Sequence, residues 1–325
     1  MGDGLTQGSD PDHAMLDARF QALFADQQRA MQGQPASAAV APSVAEIREA
    51  YRTERLSQDR SPPQDIATVD MRVPGGAGKI DARLYVPVEV PERSALLIYF
   101  HGGGFVIGGI DTHDGLCRRL AKGTAAQVLA IDYRLAPECP FPAAHDDAIA
   151  ATTWCFENAD VLHVDPARIA VGGDSAGANI AASTVISMAA SQQGRVIFQL
   201  LLYPLTWPDV PTASRTNRAF PVLTEEHLAW FEACLQFRGN PAAWRTQLGA
   251  AKLTGLPPTL VVTAGHDPLR DEGRAFAATL SAQGNTVEHV EFGDLPHDFF
   301  VMPDVSPRVE YAVAAIVDRV RQAIA

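Results

Sequence analysis

Residues Ala167–Ser183, ARIAVGGDSAGANIAAS, join an apolar run to an alanine-rich one across two glycines and a single serine. The apolar residues up to Val171 read as a buried strand, and the small residues after Ser175 read as a helix. Gly173-Asp174-Ser175-Ala176-Gly177 fits G-x-S-x-G on a strand-to-helix turn. Such a turn crowds its neighbours and forces an unfavourable backbone on the serine, so the flanking residues must be small. The free N–H groups at the helix start point toward the space beside the hydroxyl. A glycine-rich helix start with an N-capping serine would look much the same. The motif therefore needs partners.

Outward from this turn, short β-rich runs alternate with helical patterns. Strands are expected at 95–100, 126–132, 168–174, 196–203, 259–265 and 287–292, and helices at about 113–122, 143–158, 176–190, 270–283 and 306–324. Near-continuous apolar strands separated by helices predict a parallel sheet covered on both faces. Upstream, IATVDMRVPGGAGKIDARLYVP (66–87) alternates around a Gly-Gly turn as an antiparallel hairpin does, which makes the sheet mixed. The N-terminal part reads as two helices. Met15, Phe20, Leu23, Phe24 and Met31 fall at helical spacing in the first, and Ser43 with Glu46 forms a capping box for the second. Between LLLYPLTW and LPPTLVV lie about fifty residues without a strand pattern, a length expected to sit over the active face of a βα repeat. The expected division is residues 1–56 and 206–246 as a helical cap, and 57–205 with 247–325 as an α/β core.

A serine hydroxyl is a weak nucleophile until an oriented base removes its proton. On strand-to-helix serine scaffolds the chain order is serine, acid, histidine. Four histidines follow Ser175: His227, His266, His289 and His297. His227 falls in the inserted segment, His289 within a strand, and His266 at a strand end. His297, in GDLPHDFFV, lies in the loop between the last strand and the last helix, from which a base can reach a neighbouring strand tip. Asp267, directly after strand 259–265, is the acid assigned to it. Asp271, Asp294 and Asp298 compete, but Asp294 and Asp298 lie close to His297 along the chain and Asp271 opens the next helix. HGGG at 101–104 follows another strand, where successive glycines let N–H groups approach a developing oxyanion without a Cβ in the way. The N–H of Ala176 adds a further donor. Neither Gly-Lys-Ser/Thr nor G-x-G-x-x-G spacing follows, so phosphate cradling is not supported. His101 reads as a structural hydrogen-bonder. Phe105, beside HGGG, is the first candidate to touch substrate, with Phe220 and Leu223 of the inserted segment beside it.

The totals agree with an enzyme of this kind. The chain has 325 residues, 47% hydrophobic and 20% charged, with a net charge of −12. That charge disfavours nucleic acid and anionic membrane surfaces as partners. No run approaches the about 18 apolar residues of a membrane span, and the start lacks the pattern of a secretory signal, so a cytoplasmic location is expected. MGDGLT fits a loose myristoylation pattern that recurs by chance and carries no weight here. Cys117, Cys139, Cys155 and Cys234 are scattered without zinc spacing. No metal or cofactor is expected.

In these motifs the chain resembles the bacterial hormone-sensitive-lipase-like esterases, an α/β-hydrolase family. HGGGF (101–105), DYRLAPECPFPAA (132–144), GDSAG (173–177), DPLRDEG (267–273) and HDFF (297–300) carry the resemblance, in order, from about residue 60 onward. It implies an α/β-hydrolase fold, a mostly parallel mixed sheet with helices on both faces and a helical cap. It implies Ser175 as nucleophile, His297 as base then acid, Asp267 as orienter, and Gly103, Gly104 and Ala176 as oxyanion donors. Arg134 and Glu138 would tie loops near the site. The implied reaction is hydrolysis of small, short- to medium-chain acyl esters through an acyl-enzyme, and a homodimer is compatible. Amide or lactone hydrolysis by the same machinery is the alternative, and a silent ligand receptor on the scaffold a remoter one. One departure stands out: the family often has glycine after the histidine, where this chain has Asp298. A carboxylate there raises the imidazole pKa if it faces the ring.

Overall fold

The computed structural model describes residues 14–32, 41–191, 194–209, 211–216, 220 and 222–325; the MGDGLT stretch lies outside them. In chain order come α1 (Ala18–Gln32), α2 (Val44–Gln58), β1 (Ile66–Gly75), β2 (Gly78–Pro87), β3 (Ser94–Phe100), α3 (Asp114–Thr124) and β4 (Gln127–Ile131). Then follow α4 (Ala143–Glu157), β5 (Val164–Asp174), α5 (Ala176–Ser191), β6 (Gln199–Leu202), α6 (Ala213–Thr216) and α7 (Glu225–Leu235). The chain closes with β7 (Thr259–His266), α8 (Arg270–Ala282), β8 (Val287–Pro296) and α9 (Pro307–Ala323). The eight strands of the described residues form one sheet in the order β1-β2-β4-β3-β5-β6-β7-β8.

β1 and β2 pair antiparallel through a two-residue turn, with Gly75 opposite Gly78, and β2 meets β4 antiparallel. From β4 onward every pairing is parallel. The mixed sheet expected from the hairpin and the apolar strands is the one observed. All seven residues of β3 are buried. Leu96, Ile98 and Phe100 join one buried cluster with residues of α4, α5 and α8, whereas Ala95, Leu97 and Tyr99 join the other with α3 and α9. The strand alternates after all, but between two apolar faces, so no period of two is visible in its sequence. Each large apolar side chain so buried contributes about 1.5–3 kcal/mol, a reserve that lets the sheet edge hold strained turns.

The N-terminal helices behave differently from each other. α2 starts at the predicted capping box, in which Ser43 Oγ accepts from Glu46 N and the Glu46 carboxylate accepts from Ser43 N. α1 starts at Ala18, leaving Met15 before it and exposed. Phe20 and Phe24 of α1 belong to the α3/α9 cluster, so this helix packs on a face of the sheet. Between β6 and β7 the described residues contain no strand, only α6, α7 and 3-10 turns. Both ends of this insertion are held by one side chain: Asn179 of α5 donates to Leu205 O (2.8 Å) and Thr246 O (2.7 Å). The wholly buried Glu272 of α8 accepts from Thr206 N at 2.7 Å and pairs with Arg215 of α6. Burial raises the Glu272 carboxyl to about 7.

Candidate active site

The C-terminal ends of β3, β5, β7 and β8 lie along one edge of the sheet, and each carries a residue singled out above. Ser175 follows β5 directly with φ 53, a left-handed conformation for a residue with a Cβ. Such a backbone costs about 1–3 kcal/mol, and the surroundings fix it. Ser175 N donates to Leu202 O at 2.8 Å, and Ser175 O accepts from Asn179 N and Leu205 N, both at 3.2 Å.

His297 Nε2 is 3.1 Å from Ser175 Oγ, and His297 Nδ1 is 2.7 Å from Asp267 Oδ2. With Nδ1–H donating to the carboxylate, the Nε2 lone pair accepts the serine hydroxyl. Asp267 is fully buried, and its other oxygen accepts from Leu269 N at 2.8 Å, which fixes the carboxylate plane. Burial of His297 works against its charge, but the Asp267 contact, aided by Asp298 and Asp174, outweighs it and raises the imidazole from 6.5 to about 9. Four of the competing groups are engaged elsewhere. Asp294 pairs with Arg308, Asp271 with Arg270 and Ser214 N, His289 with Thr263, and His266 with Ala14 O.

Gly103 (φ 113) and Gly104 (φ 60) both need a backbone that suits glycine. A Cβ on Gly104 would also stand 2.3 Å from the Phe231 ring of α7. Among the described residues, the N–H groups of Gly103, Gly104 and Ala176 take part in no backbone hydrogen bond.

Beneath this loop lies a network that the sequence reading missed. Asp174, wholly buried beside Ser175, accepts from Tyr99 OH at 2.8 Å and Gly102 N at 3.0 Å, and meets His113 Nε2 at 3.2 Å. His113 Nδ1 is 2.8 Å from Thr112 Oγ1, whose own hydrogen goes to Gly109 O. His113 Nε2 thus faces the Asp174 carboxylate and, at 3.3 Å, the Gly102 N–H, while Nδ1 faces Thr112 Oγ1. Burial opposes charge on both partners, yet their mutual attraction lowers the Asp174 carboxyl and raises His113. His101 is the opposite case: its Nδ1 donates to Gly102 O at 2.7 Å, its ring stacks on Tyr133, and burial lowers it to about 3. It stays neutral, a structural hydrogen-bonder as expected.

Above the site is a cavity of about 370 Å³ that reaches Ser175, His297, Gly103 and Gly104. α2 forms one wall with Ile47 and Tyr51, and α7 the other with Trp230 and Phe231. Leu223 lines this cavity. Phe105 and Phe220 do not, and here the sequence reading is corrected. Phe105 takes a left-handed turn (φ 66) that buries it fully against His145. Phe220 packs edge-on against His266. Proximity in sequence to HGGG did not survive the reversal of chain direction. The loop ties attributed to DYRLAPE are present: Arg134 binds the buried Asp147, and Glu138 binds Arg48 of α2, which also donates to Val106 O and Ala136 O.

Asp298 faces the imidazole. Its Oδ1 is 3.6 Å from His297 Nε2, while Oδ2 accepts from Tyr51 OH (3.2 Å) and Arg55 Nη2 (3.3 Å) of α2. Its φ of 64 explains why glycine suits this position and why aspartate, which tolerates the left-handed region, can replace it.

Residues 97–301 match the family model described as alpha/beta hydrolase fold. The chain belongs to the α/β-hydrolase family. Within it the relatives are of the hormone-sensitive-lipase-like kind. The chain is 40% identical over 269 residues to Esterase LipI of Mycobacterium tuberculosis, covering 80% of this chain and 83% of LipI. It is 43% identical over 246 residues to Carboxylesterase NlhH of the same organism, covering 72% of this chain and 76% of NlhH. In three dimensions it is similar to a hyperthermophilic esterase from Pyrobaculum calidifontis, with a TM-score of 0.87, 36% identity, and coverage of 96% of this chain and 100% of that one. Among the described residues no helix is long and apolar enough to cross a membrane.

Proposed function

We propose that this α/β hydrolase cleaves carboxylic esters of short to medium acyl chain length through an acyl-enzyme formed on Ser175. The observation that carries the reading is the continuous hydrogen-bonded chain Ser175 Oγ–His297–Asp267 at the floor of a cavity that also meets two of the three free N–H groups. His297 Nε2 takes the hydroxyl proton as Oγ attacks the ester carbonyl carbon. The carbonyl electron pair moves to oxygen, where the N–H groups of Gly103, Gly104 and Ala176 receive it. Collapse expels the alcohol, which leaves with the proton from Nε2. Water then repeats the sequence on the acyl-enzyme and frees the acid. Asp267 keeps Nδ1 protonated and the ring in plane throughout. Loss of one oxyanion donor costs about 10²–10³ in kcat in sites of this kind.

The chain-length reading rests on the enclosure. α2 and the insertion that bears α7 act as a two-part cap, and a space of about 370 Å³ suits a small acyl group and alcohol better than a long chain. The names of the relatives, esterase and carboxylesterase, agree with ester as the bond cleaved. The test is hydrolysis of p-nitrophenyl butanoate and dodecanoate by the native protein and by Ser175→Ala. Faster turnover of the butanoate, abolished in the variant, is expected. Residual activity in Ser175→Ala would refute the nucleophile. Turnover of neither ester, with cleavage of an anilide or a lactone instead, would move the reading to an amidase or lactonase.

A further inference from the structure

The carboxylate after the catalytic histidine is held in a way that packing alone does not explain. Asp298 accepts a left-handed backbone, φ 64, where glycine would fit without strain. One oxygen, Oδ2, is pinned by the phenol of Tyr51 and the guanidinium of Arg55, whose ring and cation also stack with 4.7 Å between them. The other oxygen, Oδ1, has no hydrogen-bond donor among the described residues. It stands 3.6 Å from His297 Nε2, and Asp298 lines the cavity with Ser175. That separation exceeds a direct hydrogen bond, yet a single water about 2.8 Å from each atom spans it.

His297 Nε2 is the atom that must take a proton from water once Ser175 carries an acyl group. A group that touches water there sees the second substrate of the reaction. We propose that Asp298 positions the hydrolytic water for deacylation, an inference that rests on Ser175 forming the acyl-enzyme. The water oxygen attacks the acyl carbon and forms the new C–O bond while one of its protons passes to Nε2. Its other hydrogen is held by Asp298 Oδ1 and stays on the product carboxyl group. The carbonyl pair, parked on the oxyanion, returns to expel Ser175 Oγ, and Nε2 delivers the proton to that oxygen. The acyl-serine ester and water become acid and free serine, and Asp298 ends as it began. The first half of the cycle has no water to place, because the nucleophile there is Ser175 itself. α2 takes part only through Tyr51 and Arg55, which aim the carboxylate.

The asymmetry between the two half-reactions supplies the test. Single-turnover release of p-nitrophenolate from p-nitrophenyl butanoate reports acylation. Rapid-quench mass spectrometry of the intact protein, with peptide mapping, reports the butanoyl adduct and its decay. In Asp298→Gly, a residue suited to the backbone, the adduct should live longer by on the order of tenfold, the kinetic weight of one lost charged hydrogen bond. Acylation should change far less. Asp298→Asn keeps an acceptor oxygen and should fall between the two. A role in bracing His297 alone would slow both half-reactions together, and that result, or an unchanged adduct lifetime on Ser175, overturns the proposal. An adduct on another residue, or none despite nitrophenolate release, refutes the acyl-enzyme reading on which it rests.

Discussion

Two histidines flank the nucleophile turn, and their environments are close to matched. His297 and His113 are 4% and 1% exposed, each is bonded to a wholly buried carboxylate, and each is raised by that carboxylate against the cost of burial. The carboxylates differ in chain position, Asp267 after β7 and Asp174 at the end of β5, but not in kind. The difference is what the remaining ring nitrogen meets. His113 offers its second nitrogen to Thr112 Oγ1, whose own hydrogen is already spent on Gly109 O. His297 offers its second nitrogen to a serine hydroxyl that opens on a cavity. A buried His–carboxylate pair is therefore not in itself a catalytic device. It becomes one when the free nitrogen is left without a proton and faces a group that can give one up. The same pair closed off from the cavity is a brace, and its carboxylate accepts from Gly102 N at the start of the glycine loop.

The largest effect that would sharpen this contrast is at Asp267. Asp267→Asn presents an amide N–H to Nδ1, which moves the imidazole proton to Nε2 and removes the lone pair that Ser175 needs. A fall of about 10⁴ in kcat is expected with the fold intact. Steady-state kinetics beside a circular dichroism spectrum would check it. A fall of tenfold or less would mean that Asp267 is not the orienter.

Asp174→Asn attacks the other pair and should read out mainly in stability. It removes the carboxylate that favours charge on the buried His113, and breaking a buried pair of this kind costs about 3–5 kcal/mol. An amide oxygen can still accept from Gly102 N, so kcat should drop only on the order of tenfold, well short of losing an oxyanion donor outright. Urea unfolding and kcat measured on the same preparation separate the two quantities. A kcat loss equal to that of Asp267→Asn would abolish the distinction between device and brace.

What the sequence made legible follows the same division. Ser175, His297 and Asp267 lie at strand ends that hydrophobic runs announce, so topology brings them to one edge without further information. The brace is invisible at that level. Asp174 reads as part of a motif, and His113 and Tyr99 lie 61 and 75 residues from it, Tyr99 brought there by the parallel register of β3 and β5 and His113 by the 3-10 turn that precedes α3. Asp298 was visible as a departure, but not Tyr51 and Arg55, which reach it from α2 across more than 240 residues. Phe105 failed for a local reason, a left-handed turn that a phenylalanine rarely takes. The cavity walls come from helices whose docking depends on tertiary ties such as Arg48–Glu138 and Asn179, not on any periodicity of their own.

The smallest predicted effect, and the one that best separates the two pairs, concerns pH. His297 works as a base when neutral, so kcat/KM should rise with pH through a limb displaced above the ordinary 6.5 toward its raised value of about 9. Stability should move the other way. A histidine whose folded pKa is raised binds its proton more tightly in the native state, so its contribution is full below the unfolded pKa and is lost as pH rises through the folded one. His297 and His113 share that sign, and the unfolding free energy should decline across the window in which activity grows. Glu272, raised to about 7 by burial, has the same sign but its loss begins from 4.5 and is largely spent before the histidines respond. His113→Gln tests the assignment. It removes one of the two groups that set the slope of stability against pH, and it touches neither Ser175 nor His297. The stability slope above pH 6.5 should flatten while the kinetic limb stays where it was. A limb that shifted with His113 would mean that the brace and the base titrate as one unit, coupled through Asp174, which contributes to the pKa of both.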